Sequence, residues 1–231
     1  FLAVSTLPVL AADKYPTRPI RVIVPFPPGG STDFNARAIQ DKLSELLGQQ
    51  VVVDNRGGAS GQIGTRIVKD STPDGYTLLV HTVAFVTSPI LYKNAGYDPL
   101  KDFLAVSMIS QVPTTVSVHP SVPVRSVKEL LALAKSRPDQ LIYASSGIGT
   151  NAHITGELFN LMTGTRSIHV PYTGSAAALA ALLGGQLNYM FDTVITAVPH
   201  LRAGRLRGIG VTALRRASSL PAIPMAPIPP C

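Results

Sequence analysis

Two glycine-rich segments carry the residue types that would bind an anion. The first reads P-F-P-P-G-G-S-T-D over residues 25–33, and the second reads S-S-G-I-G-T-N-A-H over residues 145–153. Each lies where a predicted strand ends and a predicted helix begins. Backbone N–H groups at a helix start have no partner within the helix, and the positive end of the helix dipole lies there too. Both segments are therefore candidates for holding a carboxylate or a phosphate.

The side chains of the first segment support this interpretation only in part. Gly29 and Gly30 allow a ligand to approach the main chain closely. Ser31 and Thr32 add hydroxyl donors. Asp33 would compete with an anion for the same donors, so we expect it to cap the helix or to orient a water. An ordinary strand-to-helix connection with Ser or Thr as N-cap explains the segment equally well, and both interpretations stay open.

The second segment resembles nucleotide-binding loops without meeting their requirements. A dinucleotide-binding loop needs an acidic residue about 20 positions further on, and none stands there. No Gly-Lys-Ser or Gly-Lys-Thr occurs in the chain, which excludes a Walker loop. Two anion-binding helix starts, one in each of two predicted lobes, are what a protein needs to close around a ligand with two acidic groups.

Two further features adjoin predicted strands. The segment D-N-R-G-G-A-S-G over 54–61 is most simply a polar turn into a helix, with a binding role as the alternative. Asp192 follows a predicted strand at the carboxyl-terminal edge, where open α/β sheets bind ligands. Its carboxylate would either pair with an amino group of the ligand or cap the next helix, and both remain open.

The chain shows no apparatus for catalysis or metal binding. No G-x-S-x-G motif and no paired carboxylates within a loop are found. We identify no H-x-x-x-H pair and no carboxylate at a spacing typical of metal ligands, so the histidines are predicted to be structural. These are His81, His119, His153, His169 and His200, of which only His153 adjoins a glycine-rich segment. The single cysteine, Cys231, excludes an intrachain disulfide. We expect no metal and no cofactor.

Composition limits the classes of protein further. The chain has 231 residues, 45% of them hydrophobic, which is enough to bury a core and argues against disorder. Its net charge of +7 comes from scattered basic residues without a run of four, so nucleic acid is a poor candidate for a partner. An anionic ligand, or simply a basic exported protein, explains the charge better.

The first twelve residues read as the remainder of a signal peptide. Residues 1–10 are uncharged and largely apolar, and small residues follow in the pattern that a signal peptidase accepts. A buried first strand is the alternative, which Pro8 disfavours. No later apolar run approaches the ~18 residues needed to span a bilayer. The sequence therefore predicts an exported, soluble protein.

Strands and helices are predicted to alternate along the remaining chain. This pattern is typical of mostly parallel sheets flanked by helices. Strands are predicted over 20–24, 51–53, 76–81, 103–109, 113–118, 141–144, 167–170, 187–191 and 206–211. Helices are predicted over 34–47, 59–69 with Ile63 and Ile67 facing inward, 127–137 after a capping box at Ser126, 150–162, 175–183 and 193–202. We predict a first lobe over 13–108, a second over 109–215, and an extended proline-rich tail over 216–231.

Six motifs in order resemble one known family, the Bug family of extracytoplasmic solute receptors of tripartite tricarboxylate transporters. They are Y-P-x-R-P-I-R-V-I-V-P-F-P-P-G-G-S-T-D from Tyr15, V-V-V-D-N-R-G-G-A-S-G-x-I-G-T from Val51, P-D-G-Y-T-L-L from Pro73, Y-D-P-L-K-D-F from Tyr97, S-S-G-x-G-T-x-x-H from Ser145 and V-P-Y-T-G-S-A-A-A-L-A-A-L-L-G-G-Q from Val170. The resemblance runs from Tyr15 to about Leu220.

The resemblance implies a fold similar to type II periplasmic binding proteins, with two α/β lobes that close on a ligand in the cleft between them. It implies a monomeric periplasmic receptor that captures a small carboxylate and delivers it to membrane transporter subunits. The residues implied to line the site are Phe26, Pro28, Gly29, Gly30, Ser31, Thr32, Asp33, Thr82, Val83, Ala84, Ser145, Ser146, Gly147, Gly149, Thr150, His153, Tyr172, Gly174 and Asp192. Family members continue beyond the point where this chain ends, so the first lobe is expected to lack its C-terminal completion.

Two other functions remain as alternatives. An enzyme on the same type of fold, acting on a small organic acid, would need a catalytic acid or a cofactor-binding lysine in the cleft. Neither glycine-rich segment contains a lysine. A nucleic-acid-binding protein would show a steep dependence of affinity on salt concentration.

Overall fold

The first lobe is built on a three-stranded parallel sheet. The computed structural model describes residues 15–213 and 217–225. The strands β1 (Ile20–Val24), β2 (Val51–Asn55) and β3 (Thr77–Leu79) are arranged in the order β2-β1-β3. Buried β1 residues pack against the helix α1 (Ser31–Leu47). The lobe also contains a short 3-10 helix (Ala59–Gly61), α2 (Gln62–Lys69) and α3 (Ala84–Leu91).

The second lobe is built on a five-stranded mixed sheet of order β6-β5-β7-β4-β8. Its strands are β4 (Thr114–Val118), β5 (Ile142–Ser145), β6 (Ile168–Pro171), β7 (Tyr189–Thr193) and β8 (Arg207–Val211). Its helices are α4 (Val127–Ser136), α5 (Asn151–Thr163), α6 (Ser175–Leu183) and α7 (Val194–Arg202). The predicted alternation of strands and helices is confirmed in both lobes, although β4 runs antiparallel to both of its neighbours.

The second sheet is covered on both faces, which explains its apolar strands. Successive residues of a strand point to opposite faces. Tyr143 and Tyr189 contribute to a core with α4, whereas their neighbours Ala144 and Met190 contribute to a separate core with α6. Both cores are therefore built from the same two central strands, β5 and β7.

The helix α4 begins as its sequence predicts. The Ser126 hydroxyl accepts a hydrogen bond from the Glu129 N–H at 3.2 Å, and the Glu129 carboxylate accepts one from the Arg125 N–H at 2.7 Å. These contacts satisfy donors that a helix start leaves unpaired. The capping box predicted from the sequence is confirmed, with the glutamate reaching one residue further back than expected.

Three details of the predicted elements are wrong. Residues 103–109 form no strand, and Leu104 is 92% exposed, because no neighbouring strand pairs with this segment among the described residues. Ile63 is exposed, because α2 packs through the small residue Gly64 against Pro25 instead. The helix α3 was not predicted, since Pro89 interrupts its sequence pattern.

The predicted lobe bounds at 108 and 109 stay a prediction. The two sheets lie on either side of that position, with β3 ending at Leu79 and β4 beginning at Thr114. The predicted signal peptide lies outside the described residues, as do residues 226–231 of the predicted tail. Among the residues described, no helix combines the length and the hydropathy that crossing a bilayer requires.

Candidate functional site

A cavity of about 50 Å³ lies between the two lobes, and both glycine-rich segments contribute to its wall. The first segment provides Phe26, Pro27, Gly30, Ser31 and Thr32, and the second provides Ser146, Thr150, Asn151 and Ala152. The remaining lining residues are Thr82, Thr114, Ser175, Phe191, Asp192 and Thr193. A second cavity of about 300 Å³ shares five of these residues, namely Ser31, Thr32, Thr82, Asn151 and Thr193. The structure thus brings the two segments together across one cleft.

Four helices begin at the wall of this cavity. The first residues of α1, α5 and α6, which are Ser31, Asn151 and Ser175, all line it, and so does Thr193, the N-cap of α7. In none of the four does the side chain of the N-cap residue accept a hydrogen bond from a backbone N–H at the helix start. Among the described residues, the backbone N–H groups of Ser31, Asn151 and Ser175 have no hydrogen-bond acceptor. These donors are therefore available to a ligand, and the helix dipoles favour one that is negatively charged.

Small hydroxyls supplement the backbone donors. The side chains of Ser31, Ser146 and Ser175 make no hydrogen bond within the described part of the chain. A serine hydroxyl can donate to a carboxylate oxygen or accept from a ligand hydroxyl. Among the described residues, no Lys, Arg or His lines the smaller cavity, so an anion there would be held without a positively charged partner.

Asp192 is the one acidic residue among the described lining residues. It is 1% exposed, and its carboxylate accepts hydrogen bonds from the Thr193 N–H at 2.8 Å and the Thr196 hydroxyl at 2.7 Å. Burial raises the pKa of Asp192 to about 7, and the two hydrogen bonds oppose this shift. The contacts to Thr193 and Thr196 match the helix-capping interpretation of this residue.

Asp33 shapes the first segment from behind the cavity. Its carboxylate accepts hydrogen bonds from the Gly29 N–H at 3.0 Å, the Arg37 guanidinium at 2.9 Å and the Asn55 side chain at 3.0 Å. Burial raises the pKa of Asp33, but these three donors outweigh burial and hold it below its usual value. Asp33 therefore fixes the turn before α1 through Gly29, and it does not cap the helix itself, since no side chain caps α1. It does not line the cavity, so it does not compete with a ligand there.

The third glycine loop supports the first segment. Asn55 also donates to the Phe26 carbonyl at 3.0 Å, and Gly57 packs so closely on Pro27 that an added Cβ would lie 3.0 Å from its ring. The Ser60 hydroxyl lies 3.2 Å from the Tyr92 hydroxyl. These contacts favour the structural interpretation of residues 54–61.

Ser145 and His169 hold the second segment in place. The Ser145 hydroxyl lies 2.7 Å from His169 Nε2, and it accepts from the Gly147 N–H at 3.2 Å. A serine beside a histidine is also the arrangement of a nucleophile and its base. Ser145 is fully buried, however, and lines neither cavity, which favours a structural role for its hydroxyl. The Thr150 hydroxyl donates to the Gly147 carbonyl at 2.6 Å and closes the turn.

The other predicted residues divide into lining and supporting positions. Val83 lines the larger cavity, whereas Ala84 is buried at the start of α3. Pro28, Gly29, Gly147, Gly149, His153, Tyr172 and Gly174 lie in or beside the same turns but line neither cavity. Gly174 has φ +135°, and a Cβ there would lie 3.1 Å from Pro27 Cδ, so the two lobes meet closely at this glycine.

Several lining residues were missed by the sequence analysis. Ser175 begins a helix after a strand and a glycine, the same pattern as in the two predicted segments, so that pattern would also have predicted Ser175. Thr114 and Phe191 lie at positions that depend on the antiparallel pairing of β4 with β7, which periodicity does not reveal. The Asn151 side chain donates to the Thr114 hydroxyl at 2.8 Å and fixes both groups at the cavity.

Three of the five histidines, His81, His153 and His169, lie in two different environments. His81 is partly exposed at the larger cavity, its ring packs against Phe26 and Phe85, and desolvation lowers its pKa to about 4. Its Nδ1 accepts from the Thr82 N–H at 2.8 Å, which supports the structural role expected of it. His153 and His169 instead lie beside Glu157, and one ligand atom from each of the three falls within 4.8 Å of the others. The expectation that no carboxylate stands at metal-ligand spacing is wrong, because Glu157 lies one helical turn after His153.

Comparisons with known proteins place this architecture in one family. The chain matches the family described as "Tripartite tricarboxylate transporter family receptor" over residues 35–227. A curated relative from Pseudomonas sp. (strain P51), the UPF0065 protein in the tcbD-tcbE intergenic region, is 38% identical over 212 residues. That alignment covers 92% of this chain and 63% of the relative, so the chain spans less than two thirds of that protein's length.

Two solved structures show the same fold. Rpa4515 of R. palustris, solved with adipate, is 40% identical with a TM-score of 0.88, and the match covers 91% of this chain and 71% of that one. The periplasmic binding protein BugD is 37% identical with a TM-score of 0.86 and the same coverage. The predicted two-lobed fold of periplasmic binding proteins is confirmed. The chain belongs to the family of tripartite tricarboxylate transporter receptors, within which it is similar to the Bug proteins.

Proposed function

We propose that this protein is a receptor that captures a small carboxylate between its two lobes and performs no covalent chemistry on it. The observation that carries the proposal is the convergence of three helix starts, each with a free backbone N–H, on one cleft. Main-chain amides at helix starts bind carboxylates and phosphates. The similar protein Rpa4515 was solved with adipate, a dicarboxylate, which supports a carboxylate ligand here as well.

The proposed contact residues are the predicted ones that line the cavity. They are Phe26, Gly30, Ser31, Thr32, Thr82, Ser146, Thr150 and Asp192, with Val83 at the larger cavity. The other predicted residues shape the turns that present these groups. Asp192, with its pKa near 7, is partly protonated at neutral pH, and a neutral carboxyl group can donate a hydrogen bond to a ligand oxygen.

Capture is proposed to work by closure of the cleft. Each lobe carries at least one helix start, so a ligand contacts both sets of amides only when the lobes are together. Contacts that exist only in the closed arrangement shift the population toward it. The closed protein would then deliver its ligand to membrane subunits of the tripartite tricarboxylate type, as the family description suggests.

The proposed location is the periplasm, where the receptor would act as a monomer. BugD is described as a periplasmic binding protein, which supports this location. Export would use the signal peptide predicted at residues 1–12. Size-exclusion chromatography with light scattering tests the monomer, and fractionation of cells that produce the full natural protein tests the location.

A melting-temperature screen with matched ligands tests the binding function. Adipate and shorter dicarboxylates are compared with adipamide, which has a similar shape but no negative charge. A true ligand at a hundred times its dissociation constant adds about 2.7 kcal/mol to the free energy of unfolding. Stabilisation by a dicarboxylate and none by the diamide is the expected result. Equal effects of both compounds, or no effect of any small acid, would contradict the proposal.

A further inference from the structure

A polar cluster on the second lobe includes the last residue of the second glycine-rich segment, His153, and lies outside the cavity. His153 and Glu157 stand one turn apart on α5, and His169 lies on the edge strand β6. The two imidazole rings are 4.3 Å apart between centroids. One ligand atom of each residue lies within 4.8 Å of the others, and Glu157 is exposed to solvent. An ion can therefore reach the cluster from outside.

We infer that His153, Glu157 and His169 form a binding site for a divalent transition-metal ion such as Zn²⁺. Two imidazoles and one carboxylate are a ligand set that Zn²⁺ accepts, with a water in the fourth position. Tetrahedral coordination places ligand atoms about 3.4 Å apart at ordinary Zn–N and Zn–O distances. The ligand atoms lie within 4.8 Å of one another, so binding an ion requires the side chains to move closer together.

Buried groups behind the cluster orient two of the ligands. The Tyr143 hydroxyl donates to Glu157 Oε1 at 2.5 Å, and the Ser145 hydroxyl lies 2.7 Å from His169 Nε2. Both Tyr143 and Ser145 are fully buried. A partner on one atom of a ligating side chain, which leaves another atom for the ion, is the arrangement typical of metal sites.

The ion and the Gly149 N–H compete for the His153 ring. Its Nδ1 accepts a hydrogen bond from the Gly149 N–H at 3.1 Å, so the neutral ring carries its proton on Nε2. If the ion binds Nδ1, it takes the lone pair that Gly149 uses. If the ion binds Nε2, the proton must move to Nδ1, which then cannot accept. In either case metal binding breaks the contact between His153 and Gly149.

The test uses the full chain without an affinity tag and with Cys231→Ser, which removes the one thiol as a competing ligand. Calorimetric titration with ZnCl₂ should give one ion per chain. Glu157→Gln and His169→Gln should each weaken zinc binding at least about tenfold, since even outer-shell changes cost that much. The matched controls Glu45→Gln and His119→Gln should bind like the parent, and Mg²⁺ should not compete with zinc.

The consequence for the loop has its own readout. Zinc should shift the amide signal of Gly149 in a ¹⁵N–¹H correlation spectrum and should not shift it in Glu157→Gln. Glu157→Gln retains an acceptor for Tyr143, so it remains decisive if His169→Gln fails to fold. No zinc uptake, or uptake unchanged by Glu157→Gln, overturns the inference. All measurements are made without a carboxylate, so failure here and failure of the proposed receptor function are separate results.

Discussion

The Thr87 hydroxyl donates a hydrogen bond of 2.6 Å to the carbonyl oxygen of Gly149. Thr87 lies on α3 of the first lobe, and Gly149 lies in the second glycine-rich segment, 62 residues further along the chain. This bond therefore joins the two lobes directly beside the cleft. It belongs to the arrangement in which the lobes are together, and separation of the lobes would break it.

Thr87→Val should weaken binding of the acid found by the melting screen. Valine has nearly the same shape but no donor, and a hydrogen bond of this kind contributes about 0.5–1.5 kcal/mol, which corresponds to about a 2- to 12-fold loss of affinity. Calorimetric titration measures the change. Thr72→Val, at an exposed threonine without a side-chain hydrogen bond, is the matched control. Equal affinities of both variants would show that this bond does not favour closure.

The stability of the Asp192→Asn variant, compared with that of the parent protein, should increase as pH rises. The pKa of Asp192 is about 7 in the folded protein against 3.8 for the free side chain, so the folded protein holds a proton that the unfolded chain releases between these values. The stability contributed by this group is complete below pH 3.8 and is lost as pH rises to about 7. Asparagine cannot ionise, so the variant does not share this loss.

The measurement for Asp192 is the melting temperature of variant and parent from pH 4 to pH 8. The difference, variant minus parent, should increase by several degrees over this range. Asp41→Asn, at an exposed acid on α1, is the matched control. A difference for Asp192→Asn that does not change with pH would contradict the raised pKa of its carboxyl group.

Asp33→Asn should destabilise the protein at neutral pH and much less in acid. Asparagine keeps one accepting oxygen, so it loses the charge and the contact with either Gly29 or Arg37, and a hydrogen bond to a charged group contributes about 1.5–3 kcal/mol. Because the folded pKa lies below 3.8, this stabilisation is present above pH 3.8 and is lost as pH falls through the folded pKa. Urea unfolding at pH 7 and at pH 3 measures the free energy of unfolding of the variant and of the parent protein. An equal loss of stability at the two pH values would refute the role of the charge.

Gly156→Ala should destabilise the second lobe without touching the cavity. A Cβ at Gly156 would overlap the ring of Tyr143, which is fully buried, and overpacking of a core costs about 1–3 kcal/mol. At Gly184, φ is −78° and an added Cβ would lie 3.4 Å from the Ala180 carbonyl oxygen and 3.7 Å from that of Ala181, which are ordinary contacts, so Gly184→Ala should change stability by less than about 0.5 kcal/mol. Urea unfolding of both variants separates the two cases.

Local patterns were sufficient for most of the fold. The alternation of apolar strands and helices fixed the order of elements, because each element buries its own apolar face. The segment 103–109 shows the limit of this reasoning. Its residues favour a strand by type. A strand also needs a neighbouring strand to pair with, and a local sequence pattern cannot show whether a distant part of the chain provides one.

The site was predictable where it depends on helix starts and not where it depends on pairing between distant strands. The two glycine-rich segments could be found because strand, glycine and helix follow one another in sequence. Thr114 enters the cavity only because β4 lies antiparallel beside β7, and that contact joins residues nearly 80 positions apart. The cluster of His153 and His169 likewise requires knowing that α5 packs over the edge of the sheet.

The unpaired backbone amides at the cleft have a consequence for how the ligand specificity of such a receptor could change. Those donors belong to the polypeptide itself, so replacing a side chain does not remove them. Substitutions at Phe26, Phe191 or Thr114 would change the shape of the cavity around an acid. The hydrogen bonds from the backbone to the carboxylate oxygens would stay the same. A few mutations could thus adapt the same fold to acids of different length and bulk. The backbone N–H groups that bind the carboxylate would remain unchanged.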